Sequence, residues 1–172
     1  PGEIYFTGCG TEADNWAIRG TAYALKKKGN HIITSAIEHH AVLHTCEQLE
    51  KEGFRVTYLP VDEDGLIRLA DLEAAITPAT AAVLVEVVQG EGGIVPLPGD
   101  YLRGVEALCR KHDILFICDE VQAGLCRTGT FWAFQQHGLT PDAISMAKSL
   151  ANGLPMGAML ATDEMAKGFE AG

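Results

Sequence analysis

The chain has 172 residues, of which 47% are hydrophobic and 21% charged, a balance typical of a folded globular protein with room for one core rather than two ordinary domains. A formal net charge of −10, with no basic run longer than Lys26-Lys27-Lys28, argues against a nucleic-acid partner. No stretch approaches the roughly 18 consecutive apolar residues of a membrane span, and Pro1-Gly2-Glu3-Ile4 lacks the basic and apolar regions of a signal peptide. Five cysteines, an odd number without a CxxC pair, argue against a disulfide framework and a zinc site. They are expected to be mostly reduced thiols of a cytoplasmic protein, Cys118 in its apolar strand being the clearest case.

Short β-branched runs alternate with longer amphipathic stretches, which predicts an α/β fold with a mostly parallel sheet covered by helices. The first strand is predicted at 4–7. A helix over 11–28 follows, with Glu12 and Asp14 as acids of its first turn, three lysines in its last and Gly29 as a stop. Between them, Gly8-Cys9-Gly10-Thr11-Glu12-Ala13 places backbone N–H groups of a helix start where a phosphate would sit, with the Thr11 hydroxyl beside them. The same six residues fit the relaxed dinucleotide fingerprint G-x-G-x-x-A, and a plain capped turn also explains them.

A second strand, 31–35, runs into Glu38-His39-His40, and strand C-termini line the ligand crevice of a doubly wound sheet. One imidazole there could lie flat on an aromatic cofactor ring. His40 and His44, spaced i, i+4, would suit a metal, but no third ligand stands at a persuasive spacing. Glu38 is the best placed acid for a ribose, and the two histidines after it weaken the dinucleotide reading. A helix over 41–52 stops at Gly53, a strand covers 55–59 and a short helix 69–76. After the strand at 82–87, Gln89-Gly90-Glu91-Gly92-Gly93 reads as a functional loop without regular structure. A helix at 101–111 leads to the strand 114–119.

That strand ends in Asp119, and the next, 143–147, ends before Lys148. Alone, Asp119 is a cap or turn former and Lys148 a surface lysine. Together, an anion and a cation at neighbouring strand ends suggest a ligand that needs both. With the helix start they make three anchors for a phosphorylated pyridine aldehyde: an amine for the aldehyde, an acid that keeps the ring nitrogen protonated, and a phosphate seat. A lysine amine attacks an aldehyde only when neutral, so burial and a nearby cation are expected around Lys148. Gln122, one turn beyond Asp119, could donate to the ring phenolate oxygen. Residues 149–155 are too few for a helical crossover, so the strand at 156–161 is expected to enter antiparallel, giving seven strands.

On these residues the chain resembles the fold-type I pyridoxal-phosphate enzymes over essentially its whole length, in two parts. Through about Pro78, the segments 4–15, 31–43 and 60–65 are similar to cysteine desulfurases. From about Ala81, Val85-Glu86-Val87-Val88-Gln89-Gly90-Glu91-Gly92-Gly93, Cys118-Asp119-Glu120-Val121-Gln122-Ala123-Gly124 and Ala147-Lys148-Ser149-Leu150-Ala151-Asn152-Gly153-Leu154-Pro155 resemble class III aminotransferases of the acetylornithine and ornithine type. The resemblance implies a three-layer αβα large domain over 1–172 that binds pyridoxal 5'-phosphate, with Lys148 as the Schiff-base lysine, Asp119 as the pyridinium partner and Gln122 as the phenolate partner. It implies Gly10 and Thr11 at the phosphate, His39 stacked on the ring, Ser145 as a weaker phosphate ligand, Glu91 as a gate carboxylate, and no metal. An amino acid or amine donor, a keto-acid acceptor and a homodimer belong to the same expectation. Desulfurases carry a persulfide cysteine after the cofactor lysine, none follows Lys148 here, and that activity is expected to be absent. The sequence ends at Gly172 without the class III small domain, which suggests an open pocket with weak turnover, and the two-part wording suggests an engineered or recombined minimal domain. The competing readings are a scaffold of the same fold without cofactor, and a Rossmann-like dinucleotide binder.

Overall fold

A computed structural model describes residues 4–166; Pro1-Gly2-Glu3, read above for a signal peptide, and 167–172 lie outside the described residues. In chain order the elements are β1 (Ile4–Thr7), α1 (Gly10–Ala24), β2 (His31–Ser35), α2 (His40–Lys51), β3 (Arg55–Leu59), α3 (Leu69–Ala75), β4 (Thr80–Glu86), β5 (Val88–Gln89), β6 (Val95–Pro96), α4 (Gly99–Lys111), β7 (Leu115–Asp119), β8 (Ala143–Met146), β9 (Gly157–Ala161) and α5 (Asp163–Ala166). Seven strands join in the order β1-β9-β8-β7-β4-β2-β3. The pairs from β8 through to β3 are parallel, and β9 is antiparallel to both β8 and β1. It follows that β9 alone is reversed, as its short approach required.

The central strands are apolar almost throughout because they are buried on both faces, and alternate residues enter different cores. Ile33, Val83, Val85, Phe116 and Cys118 pack with Leu72 of α3 and Leu102, Val105 and Cys109 of α4. Ile32, Ala82, Leu84 and Ile117 pack with Ala17, Ile18 and Ala22 of α1 and Val42, Cys46 and Leu49 of α2. The result is three layers, helix pair on sheet on helix pair. Cys46, Cys109 and Cys118 are buried free thiols, while Cys9 and Cys126 are exposed.

Two local readings change. The first helix ends at Ala24, not Lys28, and no basic residue lies in its last turn. Gly29 is then not the helix stop; it lets the backbone pass against Ala79, where any side chain would strike the Ala79 carbonyl, so that the His31 amide can reach that oxygen at 2.9 Å. The loop after β4 also has regular edges. Val88 and Gln89 pair with Pro96 and Val95, so residues 90–94 form the tip of a small hairpin, with Gly93 in the left-handed region at φ 109°.

Phe116 is fully buried in the middle of β7 between α4 and the sheet. Its truncation leaves a cavity that neighbouring strands cannot fill without breaking their pairing. Phe116→Ala should lower the unfolding free energy by about 3–5 kcal/mol, measured as a shift of the denaturant midpoint at unchanged slope.

Candidate functional site

Because only β9 is reversed, the C-terminal ends of β1, β2, β4, β7 and β8 reach one edge of the sheet. Between β2 and β4 the chain changes direction across the sheet, the usual position of a ligand crevice. A cleft of about 280 Å³ opens there, lined among others by Gly10, Thr11, Asp14, His39, Glu86, Asp119, Gln122 and Lys148.

Strand register builds its floor. Glu86 is paired with Asp119 and Asp119 with Ser145. Two residues upstream in each of the first two strands, Leu84 and Ile117 belong to the core beneath α1, so all three polar side chains face that helix. From α1 comes Asp14, only 2% exposed. Asp119, 4% exposed, accepts the Val121 amide at 2.8 Å and the Ser145 hydroxyl at 3.3 Å on Oδ1. Glu86 accepts the Gly90 amide at 2.7 Å on Oε2.

Burial raises the pKa of all three acids. It pushes Glu86 to about 7, with the neighbouring Asp119 charge adding to the effect and the Gly90 amide opposing it. Asp14 is driven well above the carboxylate range by burial and then by Asp119. Asp119 is raised by burial too, and held back by the Val121 amide, Ser145, His39 and Lys148.

The opposite wall is the start of α1. Ala13 is the residue whose amide closes onto the Cys9 carbonyl, at 3.1 Å, so the amides of Gly10, Thr11 and Glu12 have no partner within the helix. They and the exposed Thr11 hydroxyl offer an anion seat at the positive end of a 15-residue helix. Ser145 does not share in it. Its hydroxyl is wholly buried and donates to Asp119 instead.

Lys148 stands at the far side with φ 48°, a left-handed backbone that a non-glycine residue adopts at a cost, where the chain turns out of β8 into a 3₁₀ turn, Lys148–Ala151. Against expectation it is exposed, and the charges that feel it are the carboxyls of Asp14, Glu86 and Asp119, not a cation. The turn lifts the side chain to the rim instead of folding it into the core.

His39 caps α2: its Nδ1 accepts the Ala41 amide at 3.0 Å, which requires the proton of the neutral ring on Nε2. Nε2 lies 3.8 Å from Glu91 on the hairpin tip. Gln122 packs against Gly90, where a methyl group would stand 3.1 Å from its amide nitrogen. His40 and His44 meet edge to face with ring centroids 5.3 Å apart, in a separate cleft between α1 and α2. Glu38, the candidate ribose acid, is buried away from the cleft, bonded by the Ser35 hydroxyl at 2.7 Å and the Gln89 amide at 3.2 Å.

Sequence reasoning thus brought Gly10, Thr11, His39, Asp119, Gln122 and Lys148 to one cleft and missed Asp14, Glu86 and Gly90. By position Asp14 is a first-turn acid suited to the helix dipole, yet with Ala17, Ile18 and Thr21 it falls at i, i+3, i+4 and i+7 of the buried stripe. Glu86 carried the same signal as Asp119, an acid closing an apolar strand.

The sequence model described as aminotransferase class-III matches residues 26–172. The chain is 40% identical over 179 residues to the acetylornithine aminotransferase of Mesorhizobium japonicum, a match covering 99% of this chain and 45% of that protein. It is 54% identical over 121 residues to the cysteine desulfurase IscS of Clostridium botulinum, covering 70% of this chain and 30% of that one. Among solved structures, the N-acetylornithine aminotransferase of Stenotrophomonas maltophilia superposes with a TM-score of 0.77 at 32% identity, over 97% of this chain and 43% of that chain. A NifS-like protein superposes with a TM-score of 0.79 at 29% identity, over 96% and 44%. The chain therefore spans less than half the length of these relatives. The two likenesses also overlap, since 121 residues exceed the segment 1–78 and the class-III match begins at residue 26.

The buried acids set a pH dependence for the free chain. Burial raises Glu38 from an ordinary 4.5 to about 8. An acid with a raised folded pKa contributes stability that is complete below its ordinary value and is lost as pH rises through the folded one. The melting temperature should therefore fall between pH 5 and pH 9, and Glu38→Gln, which keeps the Ser35 and Gln89 contacts without a charge, should make that fall shallower in a thermal melt series.

Proposed function

The chain belongs to the class-III aminotransferase family, whose enzymes depend on pyridoxal phosphate, and from that premise we propose that it holds this cofactor in the sheet-edge cleft and moves an amino group between an amino acid or amine and a keto acid. The observation that carries the reading is the donor set of one cleft: a helix start with open amides, a buried acid at one strand end and a lysine at the next. These fit a phosphate, a ring nitrogen and an aldehyde respectively. Unpaired, the floor acids would be costly, and a cationic ring beside Asp119 would relieve that cost.

When bound, pyridoxal phosphate supplies an aldehyde for a lysine amine and a ring that draws off the electron pair left when a bond at the substrate α-carbon breaks. The rest of the work falls to side chains. Asp119, kept in place by Val121 and Ser145, accepts the ring N–H and stabilises its positive charge. Gln122 donates its amide to the phenolate oxygen. His39, its ring oriented by the Ala41 amide, covers one face of the cofactor. The amides of Gly10 and Thr11, with the Thr11 hydroxyl, bind the phosphate. Lys148 would supply the amine for that aldehyde and, as a free base, the proton carrier at the substrate α-carbon.

Glu91, beside His39 at the mouth, is placed to act as a gate carboxylate. Turnover by this chain should be slow, because Lys148 is exposed and water in an open cleft screens each charge. A homodimer fits Phe6, Leu154 and Met156, which leave apolar surface exposed at the β1–β9 end of the sheet. Among the described residues no helix is long and apolar enough to cross a membrane, and three buried free thiols suit the reducing cytoplasm.

Adding pyridoxal phosphate to the purified chain should produce a covalent link that borohydride traps and mass spectrometry locates on Lys148. Lys148→Ala should lose the link while melting as the parent does. No link in the parent would favour the bare scaffold, and nicotinamide dinucleotide binding indifferent to Lys148 would favour a dinucleotide site.

A further inference from the structure

Glu38 stands one residue before His39, buried away from the cleft, and none of the roles above uses it. Its Oε1 is where two parts of the chain meet: it accepts the Ser35 hydroxyl at 2.7 Å from the end of β2 and the Gln89 amide at 3.2 Å from the hairpin, 51 positions on. The Ser35 hydroxyl in turn accepts the Ile37 amide at 3.3 Å, which closes the turn on its own side. Glu38 and Gln89 are each only 2% exposed. Their other oxygens, Glu38 Oε2 and Gln89 Oε1, have no hydrogen-bond partner among the described residues, so one buried bond joins the two groups and its loss would be costly.

The hairpin needs such a tie. β5 and β6 contribute two paired residues each, and a two-stranded ribbon that short is not stable by itself. On the sheet side Glu86 holds the Gly90 amide. On the side of the β2–α2 turn, a methyl group at Gly92 would stand 2.8 Å from Ile37 Cδ1, and Glu91 lies 3.8 Å from His39 Nε2. The His39 and Glu91 side chains are 35% and 52% exposed, so water screens that contact and the buried bond outweighs it.

We propose that Glu38 is a positioning residue of the cleft: through Gln89 it fastens the hairpin that carries Gly90 and Glu91 to the turn that carries His39. The fastening stands on the hydrogen bonds, and its effect on the cofactor rests on reading the cleft as a pyridoxal-phosphate site. Two groups assigned to the cofactor depend on it. His39 follows Glu38 directly in the chain, and Gln122 packs against Gly90, so that drift of the hairpin changes the space left for its amide. A site held in place binds more tightly than one that must be ordered on binding.

The test compares Glu38→Gln, which keeps an oxygen acceptor for Ser35 and Gln89, with the similarly sized Glu38→Met, which does not, and with Gln89→Met. Amide exchange followed by NMR in the cofactor-free chain reads the fastening directly. In both methionine variants the amides of Gly90, Gly93 and Val95 should exchange about three- to tenfold faster, the scale of one hydrogen bond, while those of β4 and β7 keep their parent rates. Affinity for pyridoxal phosphate at pH 7, followed by absorbance, should weaken by a similar factor. Combining Glu38→Met with Gln89→Met should add less than about twofold to either, since both remove the same bond. Glu38→Gln should stay within about twofold of the parent in exchange and in affinity. Should Glu38→Met fail to fold, Gln89→Met decides. Unchanged exchange at the hairpin, or faster exchange spread evenly over the sheet, overturns the proposal, and so does a loosened hairpin at unchanged affinity. A parent chain that binds no pyridoxal phosphate overturns the cofactor reading instead, and exchange at the hairpin then decides by itself whether Glu38 fastens it.

Discussion

The register of β4, β7 and β8 is the constraint from which the cleft follows. Parallel pairing sets Glu86, Asp119 and Ser145 side by side at the ends of three strands, and a slip of one residue would turn each of them to the opposite face. The apolar residues upstream hold that register. Leu84 and Ile117 must enter the core under α1, and Val83, Val85, Phe116 and Cys118 the core under α4. The same burial that drives folding therefore aims the polar groups, and its free energy offsets what their desolvation costs.

Electrostatics then give the site its character. Three acids from α1, β4 and β7 meet where water is largely excluded, and each is pushed toward its neutral form. The nearby amine, Lys148, is displaced to the rim by a left-handed turn. Such an arrangement leaves negative charge on the floor and positive potential at the helix start across from it. A ligand with a cationic ring and an anionic phosphate matches both walls at once, and this is why the family's cofactor suits the cleft better than a dinucleotide, whose ribose acid, Glu38, is turned into a buried network with Ser35 and Gln89.

The groups that complete the site come from distant parts of the chain. Gly10, Thr11, Asp14 and His39 come from the first quarter of the chain, and Asp119, Gln122, Ser145 and Lys148 from beyond its middle. They share one cleft because β9 inserts between β1 and β8, which brings α1 over the ends of β7 and β8. Gly90 joins the two remaining edges: its amide holds Glu86, and its lack of a side chain makes room for Gln122.

Much of this was legible in the sequence. Strand positions, the reversed last strand and the pair Asp119 and Lys148 follow from apolar runs, loop length and residue type, which are local properties of the chain. Local pattern could not decide where side chains end up. Asp14 has the same sequence signature whether it serves the helix dipole or faces the core, and Ser145 the same signature whether it meets phosphate or Asp119; the packing of α1 on the sheet chose between them. Lys148 was expected in a buried place near a cation, and the backbone turn after β8 put it at the rim among acids. The sequence by itself determined the order of elements and the chemical types at the strand ends, because hydrophobic periodicity and turn residues act over a few neighbours. Only the tertiary structure decided which acids lose their water, because desolvation depends on groups brought together from more than 100 positions apart, as Asp14 and Asp119 are.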